Sequence, residues 1–231
     1  MHVVRRISTN ARSFQGILDQ PVFYQVPFFQ REFCWAVEQV DRLWLDLTTA
    51  LAEGKPDYSL GAMVLNQSND RRKFNVVDGQ QRLVVVTLIF AALAKAWRKR
   101  RDRKHAEALV ERFIGSKNEA SSEITLKLLL SKTNHPVFEE LVLKSKQFSA
   151  KTKRQWPQSN VRLEKAYSLI VRNLDAWLAR FDDDQAALLQ LEEFLANRVS
   201  AVIIEAADAS DAFVIFELLH DRQSHPVSLA A

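Results

Sequence analysis

A glycine turn joins a strand-like run to a long apolar run in this chain. The strand-like run, Phe74 to Val77, is followed by the pentapeptide Asp78-Gly79-Gln80-Gln81-Arg82 and then by mostly apolar, helix-compatible sequence. A glycine turn that opens a helix directs backbone N–H groups and the positive helix end toward one point, an arrangement that binds phosphate. Arg82 adds a fork of donors suited to phosphate oxygens. The pattern therefore predicts a nucleotide site at the start of a buried helix.

The same pentapeptide has a simpler interpretation. Asp-Gly is a common strand-to-helix turn, and an arginine after it often only caps or pairs locally. Three further motifs favour the phosphate interpretation because they accompany the pentapeptide in a set order. They are Pro27-Phe28-Phe29-Gln30-Arg31-Glu32-Phe33-Cys34-Trp35, Tyr58-Ser59-Leu60-Gly61 and Phe216-Glu217-Leu218-Leu219-His220-Asp221-Arg222.

Together these motifs resemble the DGQQR-motif N-terminal domain of GmrSD-type, modification-dependent (type IV) restriction systems, a relative of the ParB and sulfiredoxin fold. The resemblance runs from about Ser8 to Ser228 and is strongest at Gln30-Arg31 and Gln80-Gln81-Arg82. The last motif departs from the family pattern. Where the family usually has Asn-Asp-Arg-Gly, this chain has His220-Asp221-Arg222-Gln223, and glutamine resists the positive φ that glycine accepts.

The resemblance implies a regulatory or sensor domain that binds and hydrolyses a nucleoside triphosphate with Mg²⁺ and gates a nuclease that cuts modified DNA. Arginine binds phosphate bidentately and stabilises the charge that builds up during transfer, while a carboxylate can hold Mg²⁺ or orient the attacking water. The candidate catalytic residues are Asp78, Gln80, Gln81 and Arg82, with Asp78 also the metal ligand. The candidate nucleotide-binding residues are Gln30, Arg31, Gly79, Asp221 and Arg222.

The chain lacks a glycine-rich Walker A loop with its Lys-Ser/Thr pair, so triphosphate chemistry here would be of the non-P-loop kind. It also lacks a nuclease signature, so we expect cutting to occur in another domain or subunit. A second hypothesis is a non-catalytic DNA-binding or assembly module whose arginine motifs contact the phosphate backbone. Its candidates also include a basic patch, which could equally be a solvated helix end. The patch contains Arg98, Arg100, Arg101 and Arg103.

Composition agrees with a folded domain that could bind a polyanion. The chain has 231 residues, 47% of them hydrophobic, and a formal net charge of +4. The single cysteine, Cys34, excludes an internal disulfide, and neither a secretory signal nor a membrane span is visible. We therefore expect a cytoplasmic protein. The expected partners are nucleotide, modified DNA and a nuclease domain or subunit, and self-association into a homo-oligomer stays open.

The predicted fold is α+β and mostly helical, with a small ParB-like mixed β-sheet that carries the site and packs with a helical bundle. Residues 1–145 would form the ParB-like domain, and residues 146–231 a helical subdomain that returns a strand and the His-Asp-Arg motif to the site. One continuous domain, truncated at its C-terminus, is the alternative. Residue patterns predict the elements. They include a helix from Ser8 to Leu18, a hairpin of Tyr58–Asn66 with Lys73–Val77, and strands at Ile124–Leu130 and Val202–Glu205.

Overall fold

The computed structural model describes residues 7–70, 72–117 and 123–224, with side chains as far as Leu219. Its main sheet has six strands in the order β1-β8-β3-β4-β2-β7, and β5 pairs with β6 in a small second sheet. Strands β1, β4, β2 and β7 run in one direction, and β8 and β3 run in the other. The strands are β1 (Ser8–Ser13), β2 (Phe23–Gln25), β3 (Tyr58–Gln67), β4 (Lys73–Asp78), β5 (Gly115–Lys117), β6 (Ile124–Leu126), β7 (Leu128–Leu129) and β8 (Val199–Ala206).

The helices lie between these strands, and the predicted α+β, mostly helical class is confirmed. They are α1 (Phe14–Leu18), α2 (Val37–Ala52), α3 (Gln80–Lys99), α4 (Arg103–Phe113), α5 (His135–Lys144), α6 (Ala150–Lys153), α7 (Gln158–Leu178), α8 (Asp184–Glu193) and α9 (Ala209–Ser224). A π-helical turn, Phe194–Arg198, joins α8 to β8. None of the described helices is both long and apolar enough to cross a lipid bilayer.

Helix α3 forms the centre of the main core. Its residues from Leu83 to Ala94 are all buried, and it packs against α4, α5 and α7. The sheet contributes alternate residues to this core, such as Met63, Leu65 and Val76, because successive strand side chains point to opposite faces. Burial along almost its whole length holds the first turn of α3 in a defined position.

The other face of the sheet has its own smaller apolar cluster. Val64 and Val77 alternate with the main-core residues of the same strands and pack with Ala206 and Ala212. Helix α9 covers this cluster with the partly buried side chains of Ile215, Phe216 and Leu219. The sheet is therefore covered on both faces at β3, β4 and β8.

The predicted hairpin is confirmed, since β3 and β4 pair antiparallel and deliver Asp78 to the end of β4. The predicted strand at Val202–Glu205 lies within β8. The predicted helix from Ser8 to Leu18 is wrong in its first part, because residues 8–13 form an edge strand paired antiparallel with β8. Only Phe14–Leu18 is helical, capped by the Ser13 hydroxyl, which accepts from the Gly16 N–H group.

The predicted strand Ile124–Leu130 is interrupted at Lys127. The side chain of Lys127 is buried, and its Nζ donates to the carbonyl oxygens of Leu18 and Arg112 at 2.7 Å each. Burial lowers the pKa of the Lys127 ammonium. Because this residue separates β6 from β7, only β7 joins the main sheet, at its edge beside β2.

The two predicted sequence ranges, 1–145 and 146–231, share one sheet. Strand β8 comes from the second range and lies between β1 and β3 of the first. Helix α7, also from the second range, packs against α2, α3 and α5. The main apolar core likewise draws residues from both ranges, so both ranges support the candidate site.

Candidate functional site

The candidate site lies where three parallel strands end. Strands β4, β2 and β7 are neighbours and run in the same direction, so their carboxyl ends lie at the same edge of the sheet. β4 continues through Gly79 into α3, β2 continues into the loop of residues 27–36, and β7 leads to Asn134 at the start of α5. In sheets of this kind, ligands commonly bind beyond the carboxyl ends of parallel strands.

Gly79 makes the sharp turn from β4 into α3. Its backbone is left-handed, with φ 91° and ψ 0°, a conformation that costs other residues energy. A Cβ atom at this position would lie 2.5 Å from Cγ of Met63. Glycine is therefore required twice, once by the backbone and once by the contact with β3.

The two glutamines after Gly79 bind the loop of residues 27–36. Nε2 of Gln80 donates to the Arg31 carbonyl oxygen at 2.9 Å, and Oε1 of Gln81 accepts from the Cys34 N–H group at 3.0 Å. Nε2 of Gln81 also donates to the Glu32 carbonyl oxygen at 3.4 Å. Both glutamine side chains are buried, so their amide groups serve the loop backbone in this structure.

Gln30 makes the reciprocal contact from the loop to the sheet. Its Nε2 donates to the carbonyl oxygen of Val77 at 2.8 Å, and Val77 is the last residue but one of β4. Glutamine side chains of each motif therefore bind backbone groups in or next to the other motif. Hydrogen bonds of this kind explain why glutamine, which has both a donor and an acceptor, occurs in both motifs.

Asn134, which belongs to none of the sequence motifs, also holds this loop. Its buried Oδ1 accepts from the Phe33 N–H group at 2.9 Å, and its Nδ2 donates to Ser159 and Asn160 of α7. A second tie joins Ser131 to the loop, because its hydroxyl donates to the Glu32 carboxylate at 2.6 Å. The one sequence signal was a cluster of small polar residues in Ser131-Lys132-Thr133-Asn134.

Arg82 is partly buried and has two partners at the site. Its Nη1 donates to the Leu60 carbonyl oxygen, and its Nη2 lies 3.4 Å from Oδ2 of Asp78. The side chains of Arg82 and Asp78 are each 23% exposed. Gly61, with φ 81°, permits this approach, because a Cβ atom there would lie 3.1 Å from Nη1 of Arg82. Arg82 is therefore oriented before any ligand binds.

The two motif arginines line different cavities. Arg82 borders an open cleft of about 450 Å³ between α2 and β3, which we call the α2–β3 cleft. Arg31, whose side chain is exposed, borders a cavity of about 10 Å³ beside Gln80 and Gln81. That volume is about the space of one water molecule. The sequence predicts both arginines at one nucleotide site, but in the described part of the chain their side chains border separate cavities.

One buried polar atom at this junction has no hydrogen-bond partner. Oε1 of Gln80 lies inside the protein, and no described residue donates to it. Gln80 also lines the small cavity beside Arg31. The Gln80 side chain consequently keeps one acceptor available at the boundary between the loop and α3.

The α2–β3 cleft contains a linked set of polar groups at its other end. The Arg42 guanidinium forms an ion pair with Asp46, with Nε and Oδ1 3.0 Å apart. Burial raises the pKa of the Tyr58 hydroxyl, and the negative charge of the nearby Asp46 carboxylate raises it further. Tyr58 therefore stays neutral and acts as a hydrogen-bond donor at neutral pH.

The basic patch is only partly available to a ligand. Arg100 forms an ion pair with Asp184, and the adjacent Lys99 pairs with Asp175. For Arg98, Arg101 and Arg103, the structure shows no ion pair with a described residue. Arg100 consequently ties α3 to α8, whereas the other three remain candidates for DNA phosphates.

The third motif cannot be placed at the site. Asp221 and Arg222 belong to the last turns of α9 by backbone, but their side chains, with those of His220 and Gln223, lie outside the described residues. Within the described ranges, no group of three or more acidic, histidine or cysteine side chains is arranged to hold a metal ion. Asp78 is the carboxylate next to Arg82, so any metal there would have Asp78 as its protein ligand.

Comparison with known proteins identifies the family. The family described as GmrSD restriction endonuclease, N-terminal domain, matches residues 11–225, nearly the whole chain. This range includes the loop motif, the glycine turn and all of α9. A comparison with individual curated proteins gives no match. The chain belongs to the GmrSD restriction endonuclease N-terminal domain family and is thus a module of a restriction system.

Proposed function

We propose that this chain binds and hydrolyses a nucleoside triphosphate and thereby controls a nuclease that lies in another domain or subunit. The observation that carries the proposal is the Arg82–Asp78 pair at the start of α3, whose side chains are each 23% exposed and whose Arg82 borders the α2–β3 cleft. A cation and a carboxylate in this arrangement suit a phosphate chain with a bound metal ion. The family name supports a role beside an endonuclease activity.

Arg82 has the chemistry and the preorganisation that phosphate transfer needs. Its contacts with Leu60 and Asp78 use only part of its donor fork, and the remaining N–H groups are available to phosphate oxygens. A guanidinium that is already oriented stabilises developing negative charge without reorganising during the reaction. The backbone N–H groups in the first turn of α3 add the positive end of a long helix.

Asp78 fits the way proteins bind magnesium with nucleotides. Mg²⁺ in such sites usually takes one or two protein carboxylates, with the other positions filled by phosphate oxygens and water. Asp78 is partly exposed next to Arg82 and so provides the one carboxylate. Bound there, the metal would neutralise phosphate charge. Asp78 itself orients that ion or a water molecule.

Gln80, Gln81 and Gln30 have a supporting role in this proposal. Their amide groups hold the loop of residues 27–36 against β4 and α3. Movement of that loop would break these bonds and alter the surface presented to a neighbouring domain. The glutamines therefore couple the state of the nucleotide site to the exposed loop that carries Arg31.

The test is triphosphate hydrolysis with Mg²⁺ by the whole chain and by Arg82→Lys and Asp78→Asn. Each substitution should reduce turnover about 100-fold or more, because lysine lacks the planar fork and asparagine lacks the charge. Arg100→Lys is the matched control, since Arg100 lies at the end of the same helix in an ion pair with Asp184. Unchanged turnover in both variants, with folding intact by circular dichroism, would contradict the proposal.

A DNA-binding or assembly module is the second candidate, and the exposure of the loop favours it. Arg31 is exposed, and the neighbouring Phe28 and Phe29 side chains are 95% and 61% exposed. If wild-type protein binds no triphosphate but binds DNA with strong salt dependence, this candidate is correct. Arg31→Gln should then weaken DNA binding more than Arg82→Gln, whose guanidinium is tied to Leu60 and Asp78.

A further inference from the structure

The α2–β3 cleft has aromatic walls as well as a cationic end. Trp35 and Tyr58 are both half-buried, both border the cleft and both pack against the main core. Leu43 and Leu60 also line the cleft and are buried, so they add apolar surface to it. A volume of about 450 Å³ is within the range of small-molecule sites. Flat rings beside apolar surface are suited to a planar heterocycle.

The charged side chains of the cleft favour one orientation of a bound nucleotide. Arg82 donates to the Leu60 carbonyl oxygen on β3, whereas Glu38 lies in the first turn of α2. Phosphates are attracted to Arg82 and repelled by the exposed Glu38 carboxylate. The uncharged part of a nucleotide must then lie toward α2.

The α2 end also has hydrogen-bonding groups suited to an uncharged heterocycle. Oε1 of Gln39 accepts from the Ala36 N–H group at 2.8 Å, which orients the side chain and leaves its Nε2 group as a donor. The Glu38 carboxylate can accept from an amino or ring N–H group. Arg42 is neutralised by Asp46 at 3.0 Å, so it does not compete with Arg82 for phosphate.

We propose that the α2–β3 cleft is the nucleobase subsite, in which Trp35 and Tyr58 contact the base of a nucleotide whose phosphates lie at Arg82. This inference rests on the proposed function, because it uses the same arginine as the phosphate partner. It gives Trp35 and Tyr58 a role in binding in addition to their packing on the core.

The experiment compares nucleotide with a ligand that has phosphates but no base. Binding of each common ribonucleoside triphosphate and of inorganic tripolyphosphate, both with Mg²⁺, is measured by calorimetry on wild type and on Tyr58→Leu. The variant should bind the preferred triphosphate about tenfold or more weakly, as expected for a lost aromatic–base contact. Tripolyphosphate binding should stay within about twofold, because Arg82 and Asp78 are unchanged.

Trp35→Leu provides a second, independent test, and Trp156→Leu is its matched control. Trp156 is also a partly buried tryptophan, but it packs against Phe148, away from the cleft. Trp35→Leu should lose nucleotide affinity and retain tripolyphosphate affinity, whereas Trp156→Leu should retain both. If Trp35→Leu does not fold, the result for Tyr58→Leu decides.

The other outcomes separate the two proposals. Unchanged nucleotide binding in Tyr58→Leu overturns the base subsite and leaves the nucleotide function intact. Equal loss of nucleotide and tripolyphosphate also overturns it, because the ring would then act only through the structure of the phosphate end. If the wild-type chain binds neither ligand, both the subsite and the proposed nucleotide function are wrong.

Discussion

The two motif arginines of this chain occupy opposite physical situations. Arg82 is partly buried, and its guanidinium is oriented by Leu60 and Asp78. Arg31 has an exposed side chain, while its carbonyl oxygen is held by Gln80. In one residue the side chain is oriented, and in the other the backbone is held and the side chain is left to solvent.

This difference separates two tasks that the sequence motifs do not distinguish. An oriented guanidinium has already lost its conformational entropy, so it binds a small anion at low additional cost. An exposed arginine on a fixed backbone can reach a larger partner, such as a phosphate backbone or a neighbouring domain. Under the proposed function, Arg82 binds the nucleotide and Arg31 contacts a partner.

The largest expected effect on the structure around Arg82 is that of Gly79→Ala. The variant must adopt φ near 91° and must move Met63, whose Cγ would lie 2.5 Å from the new Cβ. The two effects together should lower the free energy of unfolding by about 4 kcal/mol. Chemical denaturation monitored by circular dichroism measures this change.

Gly54→Ala is the matched control for that variant. Gly54 also has a positive φ, 64°, but no atom lies within 4 Å of a Cβ built there. It should cost only about 1 kcal/mol, the backbone part of the effect. Equal costs at the two glycines would show that the contact with Met63 does not constrain the turn before Arg82.

The backbone that carries Arg31 is tested next by Asn134→Ala. Removing the amide leaves the buried Phe33 N–H group and the Asn160 side chain without their partner, for a loss of about 3 kcal/mol. Hydrogen exchange of the loop of residues 27–36 should accelerate more than exchange in α2. Protection of the loop equal to wild type would mean that its other contacts, those with Gln80, Gln81 and Ser131 among them, hold it without Asn134.

Alkaline pH tests the strand that leads to the Arg31 loop. Burial raises the pKa of Tyr24 on β2 to about 12, and its hydroxyl donates to the Ile17 carbonyl oxygen at 2.8 Å. The unfolded chain loses this proton near pH 10, whereas the folded chain keeps it to about pH 12. Tyr24 therefore contributes its full stability below pH 10 and loses about 2.5 kcal/mol as the pH rises to 12.

The comparison with Tyr24→Phe isolates this effect from other groups that titrate in the same range. At pH 8 the variant should be less stable by about 1 kcal/mol, because it lacks the hydrogen bond to Ile17. The difference should shrink above pH 10 and reverse before pH 12. A constant difference in unfolding free energy between pH 8 and pH 12 would contradict the prediction.

Elements whose residues follow a pattern along a short stretch of chain were predicted correctly from the sequence. The apolar run after Gly79 predicted α3, and alternating residues on either side of a polar turn predicted the β3–β4 hairpin. The edge strand β1 was predicted as helix, because its pairing depends on β8, nearly two hundred residues later. Short polar sequences such as Ser8–Ser13 adopt a strand only when a partner strand is present.

The interior of the site was less predictable for the same reason. The contacts of Gln81 with Cys34 and of Asn134 with Phe33 join residues that are 47 and 101 positions apart. Gln80 and Gln81 beside Arg82 suggested a role at a phosphate, but their amide groups bind the backbone of the loop of residues 27–36. Residue type identified the correct region. The hydrogen-bond partner of each donor and acceptor could be assigned only from the tertiary fold.

The smallest effect sharpens the comparison between the two arginines. Arg82→Ala leaves the Leu60 carbonyl oxygen and the Asp78 carboxylate without their partner in a partly buried position, so it should lower the unfolding free energy by about 1 kcal/mol. Arg31→Ala should change it by less than about 0.5 kcal/mol, since the backbone bond to Gln80 survives the substitution. Thermal denaturation of both variants at equal ionic strength measures the contrast. Equal losses would show that the Arg31 side chain is also constrained, and the division of tasks between the arginines would then have no structural basis.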